Sequence, residues 1–171
     1  ENLELMVGFN RRFSAPFQDI KSFFSDIFEP LLITYRVNAG FIPKDHWAQS
    51  PEQGGRIIGE GCHFVDCMSF LTNSLPSFVY AESISTNNSQ ATDADNISII
   101  IKYSDGSIGT LIYVANGDKG PGKEYCEISG GGRTAIMDDF STVTFHKNGR
   151  RRKQKYDGSK GHRQEVAAFL D

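Results

Sequence analysis

Apolar residues change period along this chain, and the changes mark out its elements. In "ENLELMVGFNRRF", Leu3, Leu5 and Val7 alternate before a polar cluster, the period-two pattern of a strand running into a loop. From Ser14 the period lengthens. Phe17, Ile20, Phe23, Phe24, Ile27 and Phe28 recur at helical spacing behind Pro16, which suits a first helical turn, and Pro30 ends the run. "LLITYRVNAG" is β-branched and apolar and predicts a buried strand, with Arg36 and Asn38 on one face because strand side chains alternate. The polar loop "FIPKDHWAQSPEQGG" then feeds a helix expected from Arg56 to Thr72. Beyond it, "SFVYAESIS", "NISIIIKY", "SIGTLIYVA", "EYCEIS", "TAIMD", "TVTFHK" and "RRKQKY" read as strands. Turn signals such as Ser104-Asp105-Gly106 and Asn148-Gly149 separate them. "GHRQEVAAFLD" is a last helix.

Two helices, a run of hairpins and a closing helix predict an α+β fold: an open, mostly antiparallel broad sheet with helices packed on one face. No helices remain for the second face, so a second copy of the chain is its economical cover, and a homodimer or homotetramer through that face is expected. At 171 residues the chain can bury a real core.

Charge narrows the choice of partner. Eighteen basic against 21 acidic residues give a net charge of -3, which argues against nucleic acid or an anionic membrane as the main partner. The basic run "KNGRRRKQK" sits across a hairpin, where cations protect an exposed sheet edge. No apolar run reaches the roughly 20 residues that span a bilayer, and the start lacks a signal-peptide pattern, so a cytoplasmic location away from membranes is expected. Cys62, Cys67 and Cys126 are odd in number without CxxC spacing and read as reduced core residues.

Candidate chemistry concentrates in "QGGRIIGEGCHFVD", residues 53 to 66. On a regular helix Glu60, His63, Asp66 and Cys67 form one polar stripe. Two readings are open: a catalytic segment, or a glycine-rich helix entrance in which Asp66 simply holds His63. A metal centre is not expected, because "CHFVDC" lacks the spaced ligand pairs of zinc sites. Upstream, "PKDHW" offers Lys44, Asp45 and His46 for hydroxyl groups and Trp47 as an apolar plate for the C–H face of a sugar or polyol. The plainer alternative is a solvated loop with Trp47 tucked into the core.

"GFNRRF" before a helix, "YRVNAGFIPKDHW", "GGRIIGEGCHFVD" and "GHRQEVAAFLD" together resemble, in order and across essentially the whole chain, the C-terminal domain of the Gfo/Idh/MocA family of NAD(P)-dependent oxidoreductases. "YRVNAGFIPKDHW" further resembles a subgroup fused behind a zinc-dehydrogenase-like half in polysaccharide-related proteins. Family members carry their dinucleotide, and a catalytic Lys in a Glu-Lys-Pro motif, on an N-terminal Rossmann domain. Neither GxGxxG nor Glu-Lys-Pro occurs here. The resemblance therefore implies that residues 1–13 are a strand linking to an absent Rossmann domain, and that 14–171 form a substrate-binding and oligomerisation domain. It implies NAD or NADP in the full-length protein and no dinucleotide bound by this chain alone.

By the same resemblance His63 is the proton-transfer residue. The family's Asp, four residues earlier, aligns with Gly59, so a catalytic carboxylate is missing and Glu60 is the candidate substitute. Arg11, Arg12, Arg36, Asn38, Lys44, Asp45 and Trp47 are expected to position a sugar, sugar-nucleotide or polyol. The competing expectation is a non-catalytic, sheet-mediated dimerisation module with a degenerate site.

Overall fold

The computed structural model describes residues 4–50, 52, 54–85 and 93–170. A 3₁₀ turn, Asn10–Phe13, leads into α1, Ala15–Phe23, and then β1, Leu32–Asn38. A loop and a π turn, Ile57–Gly61, precede α2, Cys62–Thr72. The strands that follow are β2 Pro76–Ser83, β3 Ile97–Tyr103, β4 Ile108–Val114, β5 Glu124–Gly130, β6 Arg133–Asp138, β7 Thr142–Lys147 and β8 Arg150–Lys155. α3, His162–Leu170, comes last.

All eight strands lie in one open sheet, ordered β2-β3-β4-β1-β5-β6-β7-β8. The α+β reading holds, and the sheet is antiparallel except where β1 runs parallel to β4. The first strand is thus inserted at the centre, between β4 and β5. Ile33, Tyr35 and Val37 of β1 are fully buried because they face the helices with Ile101, Leu111, Cys126, Ile128, Met137 and Phe145. Phe17, Ile20 and Phe24 from α1, and Phe64, Cys67, Met68 and Leu71 from α2, complete that core. A side chain at Gly109 would meet Met68 Sδ at 2.7 Å, so this glycine is what lets α2 lie close on β4. α3 rests on the 3₁₀ turn, where Asn10 Nδ2 donates to the Lys160 carbonyl.

The opposite sheet face has no helix on it among the described residues, and Leu32, Phe78, Tyr80, Ile100 and Ile112 stay exposed there. β8 is an edge strand, as its basic composition anticipates. Its neighbour turn at Asn148-Gly149 has φ of 52° and 69°, the paired left-handed geometry of a tight hairpin.

Three expectations need correction. Glu4–Phe9 is irregular and Leu5 is exposed, since no strand pairs with this segment among the described residues and alternation alone cannot satisfy a strand's backbone. Residues 1–3 lie outside the described residues. α1 stops at Phe23 and leaves Phe28 in solvent, because Arg133 NH1 takes the Phe23 carbonyl and pairs with Asp26, closing the helix early. The helix expected from Arg56 is interrupted by the π turn and ends at Thr72, with Asn73 left-handed at φ 52° as its cap. No helix among the described residues is long and apolar enough to cross a membrane.

Candidate active site

The glycine-rich motif is a backbone device. Gly54 and Gly55 have φ of 71° and 72°, a left-handed pair that swings the chain from the polar loop into the π turn. A π turn carries one extra residue per turn, and such insertions concentrate at functional sites. Here it lines a cavity of about 340 Å³ with Gly55, Arg56, Gly59 and Glu60 on one side and Ile42, Trp47 and Ala48 on the other. Trp47 is 71% exposed, so it forms a wall and is not tucked into the core. A side chain at Gly59 would find open space.

Glu60 is the cavity's fixed anion. Its Oε2 accepts from the Tyr113 hydroxyl at 2.6 Å and its Oε1 from Lys123 Nζ at 2.6 Å, while Arg56 NH2 stands at 3.7 Å. Burial works against the charge, but the bonds from Lys123 and Tyr113 outweigh it and hold the carboxyl below its ordinary pKa. Arg56 is itself buried, giving NH1 to the Gly40 carbonyl at 2.6 Å and NH2 to that of Ala39 at 3.1 Å. It also approaches Asp95 and lies over the Tyr113 ring.

His63 opens α2, one turn beyond Gly59, and packs edge-on against Phe9 with centroids 5.6 Å apart. Its Nδ1 is buried and has no hydrogen-bond partner among the described residues. A nearby carboxylate is expected to favour the protonated ring, yet burial and the charge of Arg11 depress the pKa below its ordinary value against the pull of Glu60, Asp66 and Glu124. The imidazole is therefore neutral near pH 7. An uncharged ring can accept a proton at one nitrogen while the other donates, which suits acid-base work.

The polar stripe does not assemble. Asp66 is turned to Arg12, which grips both of its oxygens, so Asp66 does not hold His63. Cys67 is fully buried in the core. Arg11 gives two bonds of 3.0 Å to the fully buried Glu124, which also accepts from Tyr35 at 2.7 Å and Lys160 at 2.7 Å. Both arginines of "NRRF" thus serve as internal clamps. Arg36 donates to the Gly122 carbonyl and lies over Tyr125, and Asn38 Nδ2 donates to that of Asp118 at 2.6 Å. Lys44 and Asp45 are exposed in the turn before Trp47. Of the expected site residues, the cavity wall contains Glu60 and Trp47.

Sequence reasoning missed Arg56, Asp95, Tyr113, Lys123, Glu124 and Lys160. Arg56 stands four residues before Glu60, a helical ion-pair spacing that was there to be read. The others arrive from strands and loops distant in sequence. Among the described residues β1 and β4 are the one parallel strand pair, joined through α2, β2 and β3.

The sequence matches the family described as GFO/IDH/MocA C-terminal domain over residues 27–135. No curated protein sequence matches it. Among solved structures, a dehydrogenase from Clostridium difficile superposes with a TM-score of 0.75 at 20% identity, covering 99% of this chain and 53% of the other. An oxidoreductase from Agrobacterium radiobacter in complex with NAD+, L-tartaric acid and magnesium gives 0.74 at 17% identity, covering 98% and 53%. UDP-N-acetylglucosamine 3-dehydrogenase from Acidithiobacillus ferrooxidans gives 0.70 at 17%, covering 98% and 61%. The chain spans about half the length of these structures, and their likeness is one of fold.

Proposed function

Since the chain belongs to the GFO/IDH/MocA C-terminal domain family, we propose that it is the substrate-binding and assembly half of an NAD(P)-dependent oxidoreductase acting on a hydroxyl or carbonyl of a sugar, sugar-nucleotide or polyol. The observation that carries this reading is the cavity of about 340 Å³ lined both by the π-turn residues Gly59 and Glu60, the latter fixed by Lys123, and by the indole of Trp47. Apolar plate plus anchored acceptor is how proteins hold polyhydroxylated rings. His63, neutral and one helical turn beyond Gly59 of the cavity wall, is the residue that exchanges a proton with the substrate oxygen. NAD or NADP, held by a Rossmann domain outside these residues, supplies or takes the hydride. Arg11 and Arg12 support the site by locking the 3₁₀ turn to β5 and α2. The exposed sheet face joins two copies.

A second reading has its own support. Gly59 brings no carboxylate to the place where the family carries one, and Glu60 is tied to Lys123 and Tyr113 with no hydrogen bond to His63 among the described residues. On that reading the chain is an assembly module. NAD- and NADP-linked turnover by the full-length protein against a panel of sugars, sugar-nucleotides and polyols separates the two. Turnover abolished by His63→Ala supports the enzyme. A panel without turnover, from a protein that still self-associates, supports the module.

A further inference from the structure

We propose that Glu60, in the wall of the Trp47 cavity, and Lys123, which bonds to it from outside that wall, form a hydroxyl-reading pair, the carboxylate accepting from one hydroxyl of a ligand and the ammonium donating to its neighbour, so that the site prefers neutral sugars and polyols to anionic ones. The inference deepens the reading of this cavity as a substrate pocket and rests on it.

Fixation is the first ground. Tyr113 and Lys123 each take one oxygen of Glu60, so the carboxylate cannot rotate, and each oxygen keeps a second lone pair for a ligand. Tyr113 is fully buried and remains a phenol, because burial and the neighbouring carboxylate both push its pKa up. Lys123 has three donors and gives one to Glu60; its side chain is 40% exposed, which leaves the ammonium open to solvent beside the carboxylate. A fixed acceptor beside a free donor matches adjacent hydroxyls, each of which can give one hydrogen bond and take another.

Charge is the second ground. Glu60 and Asp95 balance Arg56 and Lys123, so the ion-paired cluster behind the cavity wall carries no net charge. Arg56, the cation best suited to grip a carboxylate or phosphate, is buried with its guanidinium turned to the Ala39 and Gly40 carbonyls. An anionic ligand would meet Glu60 with no free arginine to offset the repulsion. Trp47 supplies the apolar side.

Calorimetric titration of the full-length protein with glucose, and separately with glucuronate, is expected to give a saturable change that favours glucose. Lys123→Met should weaken glucose by about tenfold and glucuronate by more, since a charged hydrogen bond and the balancing cation both go. Glu60→Gln should move the preference the other way, toward glucuronate, and Lys123→Arg should keep the wild-type ratio. Shifts of opposite sign from two touching residues do not arise from loosened structure. The proposal is overturned by no saturable change with glucose, by glucuronate binding more tightly to the wild type, or by one unchanged ratio across folded variants. It also fails separately from the proton-transfer reading. An inactive protein that keeps this preference loses only proton transfer, and an active one indifferent to Lys123 and Glu60 loses only the reading pair.

Discussion

At the scale of single residues, His63 and Gly59 decide what chemistry is open to this chain. Burial and Arg11 keep the imidazole neutral, so it is ready as a base at neutral pH. His63→Ala in the full-length protein should lower kcat by about 10²- to 10⁴-fold while a thermal melt stays cooperative. The rate of alcohol oxidation should fall only as pH drops below about 6.5, the ordinary histidine value, because the ring's pKa is depressed from there. The same depression makes stability rise with pH in that range: the unfolded chain binds the proton first, so stability is lost as pH falls from about 6.5 toward the folded pKa. Gly59 tests the missing carboxylate directly. With open space at its Cβ and no left-handed φ, Gly59→Asp should fold with little change in Tm, raise the His63 pKa as read by NMR, and increase turnover. Unchanged turnover alongside a raised pKa would mean that the absent carboxylate is not what limits this protein.

At the scale of elements, local patterns found the strands and distant partners set the breaks. The hairpin strands were legible because alternation and turn residues agree, as at Asn148-Gly149. The early end of α1 was not, since its cause, Arg133, lies more than a hundred residues away. Nor was the π turn, whose residues have no spacing that separates one extra residue from an ordinary helical turn. Glu60 and Trp47, which line the cavity, were singled out from residue type and motif. Lys123 and Tyr113 were not, because a strand start and a strand interior meet Glu60 only through the sheet order. Arg11 and Arg12, read from the sequence as substrate-positioning cations, hold elements together through Glu124 and Asp66. The Glu124 cluster is the clearest case, joining the 3₁₀ turn, β1, β5 and the approach to α3 through one buried carboxylate. Glu124→Ala leaves Arg11 buried without its partner and should cost about 3–5 kcal/mol, read from denaturant melts. Burial opposes the Glu124 charge, but Arg11 and Lys160 outweigh it and lower the pKa. Its contribution is therefore present above the unfolded value of about 4.3 and is lost as pH falls through the lower folded value. Glu124→Gln should flatten that acid limb.

At the scale of the whole molecule, the asymmetry of the sheet is the main consequence of the fold. One face is sealed by α1 and α2, while rows of side chains on the other run from apolar to basic. Tyr80, Ile100, Thr110, Thr34, Glu127, Ile136, Thr144 and Lys153 lie in register across all eight strands, and Arg151 and Lys155 flank that row at the β8 edge. The apolar half of this face, with Phe78, Tyr80, Ile100 and Ile112 exposed on β2, β3 and β4, favours burial against a second copy. Charge then restricts how two copies meet. A twofold axis that set β8 over β8 would bring Arg151, Lys153 and Lys155 against themselves, whereas an axis along the strands sets the basic edge over β2, which carries Glu82. Sedimentation of the chain at micromolar concentration should therefore show a dimer or larger species. Ile112→Asp, at the centre of the apolar half and 36% exposed, should give a folded monomer with little change in the core. Glu82→Lys should weaken association in low salt and recover partly as salt screens the added repulsion. A wild-type chain that stays monomeric at high micromolar concentration would remove both expectations and leave the exposed face to a different partner.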